Sequence, residues 1–157
     1  AIESLKNKFP VTNNMISEGV KKAKISGRFE KIKIGHKTVI LDVAHNPAAV
    51  KTLVETLSEN PVETVAIFSA LVDKNIIDMI DLASGSIKHW FLVPIKAERS
   101  IELKALKDKF VNSDSTTVCL NMSSAIEQSL KLERVDRVVI FGSFYTIADA
   151  SKIIKKI

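Results

Sequence analysis

The chain has a single cysteine, Cys119, in 157 residues, so no internal disulfide can form and a reducing compartment is expected. Cys119 follows Thr117 and Val118, the setting of a buried strand thiol rather than of an exposed nucleophile. Aromatic residues are scarce, at 6%, and do not interleave with the basic ones, which argues against a nucleic-acid surface. No apolar run approaches the ~20 residues of a membrane span, and the opening residues lack the pattern of a secretory signal. A cytoplasmic protein with neither a membrane nor a nucleic-acid partner is expected. An opening alanine suits a processed chain or an excised piece of a longer one. Both common glycine-rich phosphate loops are missing, G-x-G-x-x-G and G-x-x-x-x-G-K-[ST]. That disfavours a dinucleotide-dependent dehydrogenase and puts any main phosphate cradle outside these residues. The three histidines, His36, His45 and His89, show no ligand spacing and have no cysteine partner, so no metal site is expected here.

What is present is ordinary for a soluble domain: 46% hydrophobic and 26% charged residues. One domain of this length buries roughly two-thirds of its unfolded surface. The formal charge of +5 is scattered, and pairs such as Lys21-Lys22 and Lys155-Lys156 read as solvated helix faces.

Hydrophobic periodicity divides the chain. Ile2, Leu5 and Phe9 form a short apolar stripe that ends at Pro10. Thr12 to Lys24 reads as a helix capped by Asn13 or Asn14, with Met15, Ile16, Val20 and Ala23 on one face. A boundary is placed near Ile25 to Gly27. Two alternating segments, near 28–34 and 38–42, flank Gly35 as a hairpin. Strands and helices then alternate. A helix from Pro47, carrying Val50, Leu53, Val54 and Leu57, precedes a continuous apolar run from Glu63 to Leu71, typical of a strand covered on both faces. Ile76, Ile77, Ile80 and Ala83 mark a helix, His89 to Val93 a strand, and Leu103, Leu106 and Phe110 a helix. Thr116 to Leu120 is the next strand, followed by a helix opened by a Ser124–Glu127 capping box with Ile126 and Leu130. Arg137 to Phe141 is the last strand, and Ile147, Ala150, Ile154 and Ile157 the last helix face. Right-handed crossovers then give an α/β fold: a mostly parallel, helix-covered sheet starting with an antiparallel hairpin.

The most informative stretch is Leu41-Asp42-Val43-Ala44-His45-Asn46-Pro47. Asn46 suits an N-cap and Pro47 a first helical position, so the stretch reads strand, tight turn, helix N-terminus. Asp42 and His45 then sit at the carboxyl edge of the sheet, where ligands of such folds bind. Asp42 suits either a cap for the turn or a ligand contact, and His45 either a turn histidine bonded to backbone or a reacting group. Arg28 reads as a strand arginine or as a cation at a domain junction. Asp73-Lys74 and Gly142-Ser143 also follow apolar runs. Ser143 is an N-cap whose surrounding N–H groups also suit a carboxylate. His36 and His89 are read as structural.

Asp42-Val43-Ala44-His45-Asn46-Pro47, together with Gly27-Arg28-Phe29-Glu30 and Gly142-Ser143-Phe144-Tyr145 in the same order and spacing, resembles the folylpolyglutamate synthase and dihydrofolate synthase family. These belong to the Mur-type ATP-dependent amide ligases. The resemblance covers nearly the whole chain, but only the carboxy-terminal third of such an enzyme. Ser26 stands where the family usually has proline, and Asn75 where Asp-Lys is usually followed by another acid. The resemblance implies a Rossmann-like domain of the Mur ligase C-terminal type at 27–157, with 1–26 as the end of the ATPase domain and the linker. It also implies a monomer whose partners are ATP, Mg2+, L-glutamate and a folate or dihydropteroate carboxylate, which ATP activates as an acyl phosphate.

Under the resemblance, Arg28 reaches the terminal phosphates of ATP, and Asp42 the ribose hydroxyls. His45 lies at the reaction centre beside the incoming amino acid. Lys74 and Ser143 hold glutamate carboxylates, and Tyr145 lines the pocket. The Mg2+ ligands and the main phosphate cradle belong to the amino-terminal ATPase domain, so this chain alone is expected to be inactive. A cell-wall Mur ligase and a non-catalytic nucleotide-binding or interaction module are the alternatives.

Overall fold

The computed structural model describes residues 2–5, 7–23, 25–111 and 113–157. Its helices are α1 (Ile2–Leu5), α2 (Asn13–Lys22), α3 (Pro47–Ser58), α4 (Ile76–Ser84), α5 (Leu103–Lys107), α6 (Met122–Lys131) and α7 (Phe144–Ile154). Its strands are β1 (Glu30–Ile34), β2 (Lys37–Leu41), β3 (Thr64–Phe68), β4 (His89–Leu92), β5 (Thr116–Val118) and β6 (Arg137–Phe141). They form one sheet in the order β1-β2-β6-β3-β4-β5. β1 pairs with β2 antiparallel, and every other pairing is parallel. The expected architecture is therefore the observed one. The last strand inserts between β2 and β3, in register Val39↔Val138 on one side and Ala66↔Val139 on the other. Each residue of β3 and β6 is buried, as two-sided coverage requires.

Alternation across the pleat sends side chains to two cores. Ile40, Ala66, Phe68, Val139 and Phe141 face α3, α4 and α5, where Phe68, Trp90 and Phe141 pack with ring centroids 4.9–5.9 Å apart. Val39, Leu41, Val65, Ile67 and Ile140 face α6 and α7. Burying a large apolar side chain stabilises by about 1.5–3 kcal/mol, so these two layers dominate the fold.

Several expected details differ. Thr12, not Asn13 or Asn14, caps α2, accepting from the Met15 N–H at 3.2 Å. The expected end at Lys24, with Ala1, Lys6 and the side chain of Ile2, lies outside the described residues. α2 buries none of its residues, and Leu5, Phe9, Met15, Ile16 and Val20 line an apolar cleft of about 620 Å3. The capping box of α6 lies one turn earlier than expected: Asn121 accepts from the Ser124 N–H, and Ser124 Oγ accepts from the Asn121 N–H. Glu127 instead pairs with Lys131 one turn along. α5 ends at Lys107, before Phe110, which is buried all the same. Ile77 and Ile157 are exposed, because each lies off the buried face of its helix or beyond its end.

At the amino edge of the sheet two cations are buried without a carboxylate among their described partners. Lys37, only 2% exposed, donates to the carbonyls of Leu132 and Val135 just past α6. Arg137 donates to Thr64 Oγ1 and to the carbonyls of Asn60 and Leu57 at the end of α3. Both place positive charge where helix carboxyl ends leave carbonyls unsatisfied. Lys37→Met keeps the bulk, strands two buried acceptors, and is expected to cost about 1.5–3 kcal/mol. Urea unfolding reads this directly, and a loss under about 0.5 kcal/mol would refute the staple.

Candidate functional site

The carboxyl ends of β2, β6 and β3 lie side by side, and the three motifs meet there. Crossing directions create the gap between them. α3 leaves β2 toward one face, where Val50, Leu53 and Leu57 are buried, while α7 leaves β6 toward the other, burying Ile147, Ala150 and Ile154. Adjacent parallel strands whose helices part to opposite faces define a switch point, the usual ligand crevice of an open α/β sheet.

Hydrogen bonds tie the motifs together. Val43 N–H donates to the Gly27 carbonyl (2.8 Å), and Gly142 N–H to the Ala44 carbonyl (2.9 Å). The Asp42 carboxylate accepts from Phe29 N–H through Oδ2 and from Ala44 N–H through Oδ1, both at 2.8 Å. Phe29 takes φ 46° to present that N–H, so Arg28 and Phe29 form a turn and β1 begins at Glu30, two residues later than expected. Glu30 closes the turn from outside, accepting from Gly27 N–H and Ser26 Oγ, each at 2.9 Å. Gly27 has φ +71°, and a Cβ there would meet Ile147 Cγ2 at 2.9 Å, which accounts for the glycine before Arg28. Because β1 runs antiparallel, its start lies beside the end of β2, with Glu30 opposite Leu41.

The turn places Arg28 Cζ 6.0 Å from the centre of the Phe144 ring, and His45 stacks obliquely on the same ring at 5.7 Å. His45 Nδ1 lies 2.8 Å from the Val43 carbonyl. A carbonyl can only accept, so Nδ1 carries a proton, and of the two neutral tautomers the contact selects the one with its lone pair on Nε2. Ser143 caps α7 and is buried: its Oγ accepts from Thr146 N–H at 3.0 Å and lies 2.7 Å from Thr146 Oγ1. Tyr145 is exposed in the first turn of α7. Lys74, half-buried, comes to the same edge after β3 and pairs with Asp73 at 3.0 Å. Hydrogen bonding from Lys74, with Arg99 adding its charge, holds the Asp73 carboxyl below the usual carboxylate range.

The structure thus joins Arg28, Asp42 and His45 in one connected unit, sets Ser143 beneath it, and brings Lys74 to the neighbouring strand end. Phe144, the shared ring, has no site role that its sequence position alone would assign. It precedes Ile147 by three positions, so helical spacing assigns it to the core, yet it lies beyond the sheet edge and is 58% exposed. The other histidine on the sheet, His89, bonds Thr117 Oγ1 at 2.8 Å, and burial pushes its pKa down, in keeping with a structural role. A wider cavity of about 1,290 Å3 opens at the opposite edge, among Lys88, His89, Lys131 and Arg134, away from every motif. Among the described residues no three His, Cys, Asp or Glu side chains gather as a metal site.

A doubly wound, mostly parallel sheet with cations, a histidine and two helix N-termini at its switch point has the architecture in which open α/β folds place their ligand crevice. Residues 27–144 match the family described as the Mur ligase, glutamate ligase domain. The chain belongs to that family. It is 31% identical over 146 residues to a dihydrofolate synthase/folylpolyglutamate synthase of Buchnera aphidicola (from Acyrthosiphon pisum), covering 91% of this chain and 35% of that one. A bifunctional folylpolyglutamate synthase/dihydrofolate synthase from Yersinia pestis, complexed with AMPPNP and a Mn ion, superposes with TM-score 0.83 at 27% identity over 94% of this chain and 36% of that one. A structure of such an enzyme with Mn, AMPPNP and L-glutamate bound gives TM-score 0.83 and 27% identity over the same shares. The chain spans about a third of the length of the curated relatives it matches.

Proposed function

We propose that this chain is the carboxy-terminal domain of an ATP-dependent ligase that joins L-glutamate to a folate or dihydropteroate carboxylate. The observation that carries the reading is the hydrogen-bonded union of the three motifs at one switch point, with Arg28 and His45 on the ring of Phe144. In the reaction a carboxylate oxygen attacks the γ-phosphorus and ADP leaves. The glutamate amine then attacks the acyl carbon, loses a proton, and phosphate departs. Arg28 offsets the charge on the transferred phosphoryl group. His45 Nε2, kept as an acceptor by the Nδ1 bond, receives the amine proton. Asp42 holds the Arg28 turn through two of its lone pairs and offers the others to ribose hydroxyls.

Lys74 holds a glutamate carboxylate, while Ser143 contributes by fixing the free N–H groups of the first turn of α7, beside Tyr145. Mg2+ is assigned to ligands outside this chain. Residues 1–26 are the end of the preceding ATPase domain and the linker, and the apolar cleft between α1 and α2 is covered by the rest of that domain. The whole protein is a cytoplasmic monomer.

The deciding experiment measures ADP release by the full-length protein with ATP, glutamate and either dihydropteroate or a reduced folate. Release that depends on glutamate and on a pterin acceptor supports the reading. Release only with a cell-wall precursor, or none with any acceptor, overturns it. Residues 1–157 alone lack a phosphate loop, so calorimetry is expected to show ATP binding weaker than about 0.1 mM. Micromolar affinity for the isolated chain would contradict the two-domain site.

A further inference from the structure

Between β4 and α5 the chain does not pass straight into its helix. Residues 94–101 fold back over the end of β3 as a strap. Leu71 and Ser100 form an antiparallel bridge, Val72 N–H donates to the Arg99 carbonyl at 2.9 Å, and Ile101 N–H to the Ala70 carbonyl at 3.3 Å. Ile95 and Ile101 are buried on either side of the tip, and the turn between them is closed by Ser100 N–H donating to the Ala97 carbonyl (3.0 Å). The backbone of Arg99 is therefore fixed against residues 70–72, just past the end of β3, while its side chain stays 61% exposed.

Arg99 Nη1 lies 3.1 Å from Asp73 Oδ2, the same oxygen that Lys74 Nζ approaches at 3.0 Å. Stability does not explain this trio. An exposed pair contributes little to stability, and a second cation on one oxygen adds repulsion between like charges. Two cations against one carboxylate leave an excess positive charge at the carboxyl edge. A guanidinium with five donors and an ammonium with three have far more capacity than one oxygen can use. The arrangement is suited to a second carboxylate, which a guanidinium fork grips in two-pronged fashion.

Resting on the glutamate-ligase reading above, we propose that Arg99 is a further substrate-binding and specificity residue: with Lys74 it forms a two-cation clamp for a carboxylate of the incoming amino acid. Asp73 holds the two cations in place when the site is empty. Gripping the side-chain carboxylate, the clamp selects glutamate over glutamine, whose side chain ends in a neutral amide that cannot pair with two cations.

The test uses the full-length protein and steady-state kinetics of wild type, Arg99→Gln, Arg99→Lys and Lys74→Ala. Arg99→Gln is expected to raise the KM for glutamate about 10- to 100-fold, the loss of one charge-assisted contact. ATP KM and kcat at saturating glutamate should stay within about threefold. Arg99→Lys should fall between, keeping the charge but losing the fork, and the preference for glutamate over glutamine should drop in parallel. A strap that was merely structural would not split KM from kcat in this way. Unchanged glutamate KM in Arg99→Gln, with Lys74→Ala still raising it, overturns the role of Arg99 and leaves the glutamate-ligase reading standing. A rise in ATP KM instead would make Arg99 a phosphate contact and also overturn it. Wild-type protein without glutamate-dependent ADP release removes both together.

Discussion

Full-length protein carrying Arg28→Ala is expected to turn over about 30- to 1,000-fold more slowly, the result of losing one contact of roughly 2–4 kcal/mol made mainly in the transition state. Its melting temperature should hardly move. The side chain is exposed, and the cation–π contact at 6.0 Å from Phe144 contributes at most about 0.5–1 kcal/mol at such a site. The turn itself is held by backbone and by Asp42 and Glu30, none of which needs the guanidinium. His45→Ala should show a similar separation of rate from stability, because the ring is half-buried and its one described hydrogen bond is to a nearby carbonyl. If either variant keeps turnover within about threefold of wild type, that residue has no role in the transition state. A large fall in stability would instead mark it as part of the scaffold. Asp42→Asn separates the two kinds of role. It keeps one acceptor oxygen but cannot accept at both Phe29 and Ala44, so it should weaken the Arg28 turn and stability together.

The architecture was legible because the local signals agree with the global fold. Gly35 between two alternating segments marks the hairpin, and Asn46-Pro47 marks the start of α3, where Asn46 caps Ala49 N–H at 2.9 Å as expected. The continuous apolar runs of β3 and β6 announce two-sided burial. Strand order was not legible. Nothing in Arg137–Phe141 says that it enters between β2 and β3, since β3, β4 and β6 are all apolar runs that could pair in several orders. That insertion is what sets Ser143 beside His45. At the site, strand ends followed by polar residues were enough to propose Asp42, His45, Lys74 and Ser143 at one edge. Their partners were not readable: Asp42 reaches Phe29 across 13 residues, and Arg99 reaches Asp73 only through a strap with neither helical nor strand periodicity. Nor did the sequence reveal that the Ser143 hydroxyl is occupied by Thr146, because capping and ligand binding call for the same residue.

Gly142→Ala is expected to destabilise the protein by about 2–6 kcal/mol, the sum of a strained backbone and an overpacked contact. Gly142 follows β6, the strand flanked by β2 and β3, with φ +117°, a conformation that side chains rarely take. A Cβ there would fall 1.9 Å from the Ser69 carbonyl oxygen and 2.8 Å from Phe68 Cε2. Neither neighbour can give way easily. Ser69 O is backbone at the end of β3, and Phe68 is fully buried against Trp90 and Phe141. Relief must come from Gly142 itself, whose N–H holds the Ala44 carbonyl, one residue before His45. The substitution therefore pulls β6 away from both neighbours at the level of the site. With total stabilities of about 5–15 kcal/mol, a loss of this size leaves a marginal domain, and glutamate-dependent turnover should fall with it. Gly85→Ala is the control: Gly85 ends α4 with φ −67° and nothing within 4 Å of a Cβ, so it should be neutral or stabilise by up to about 1 kcal/mol. Equal urea midpoints for the two variants would mean that the carboxyl edge is not held by close approach at Gly142, and the packing account of the site would fail.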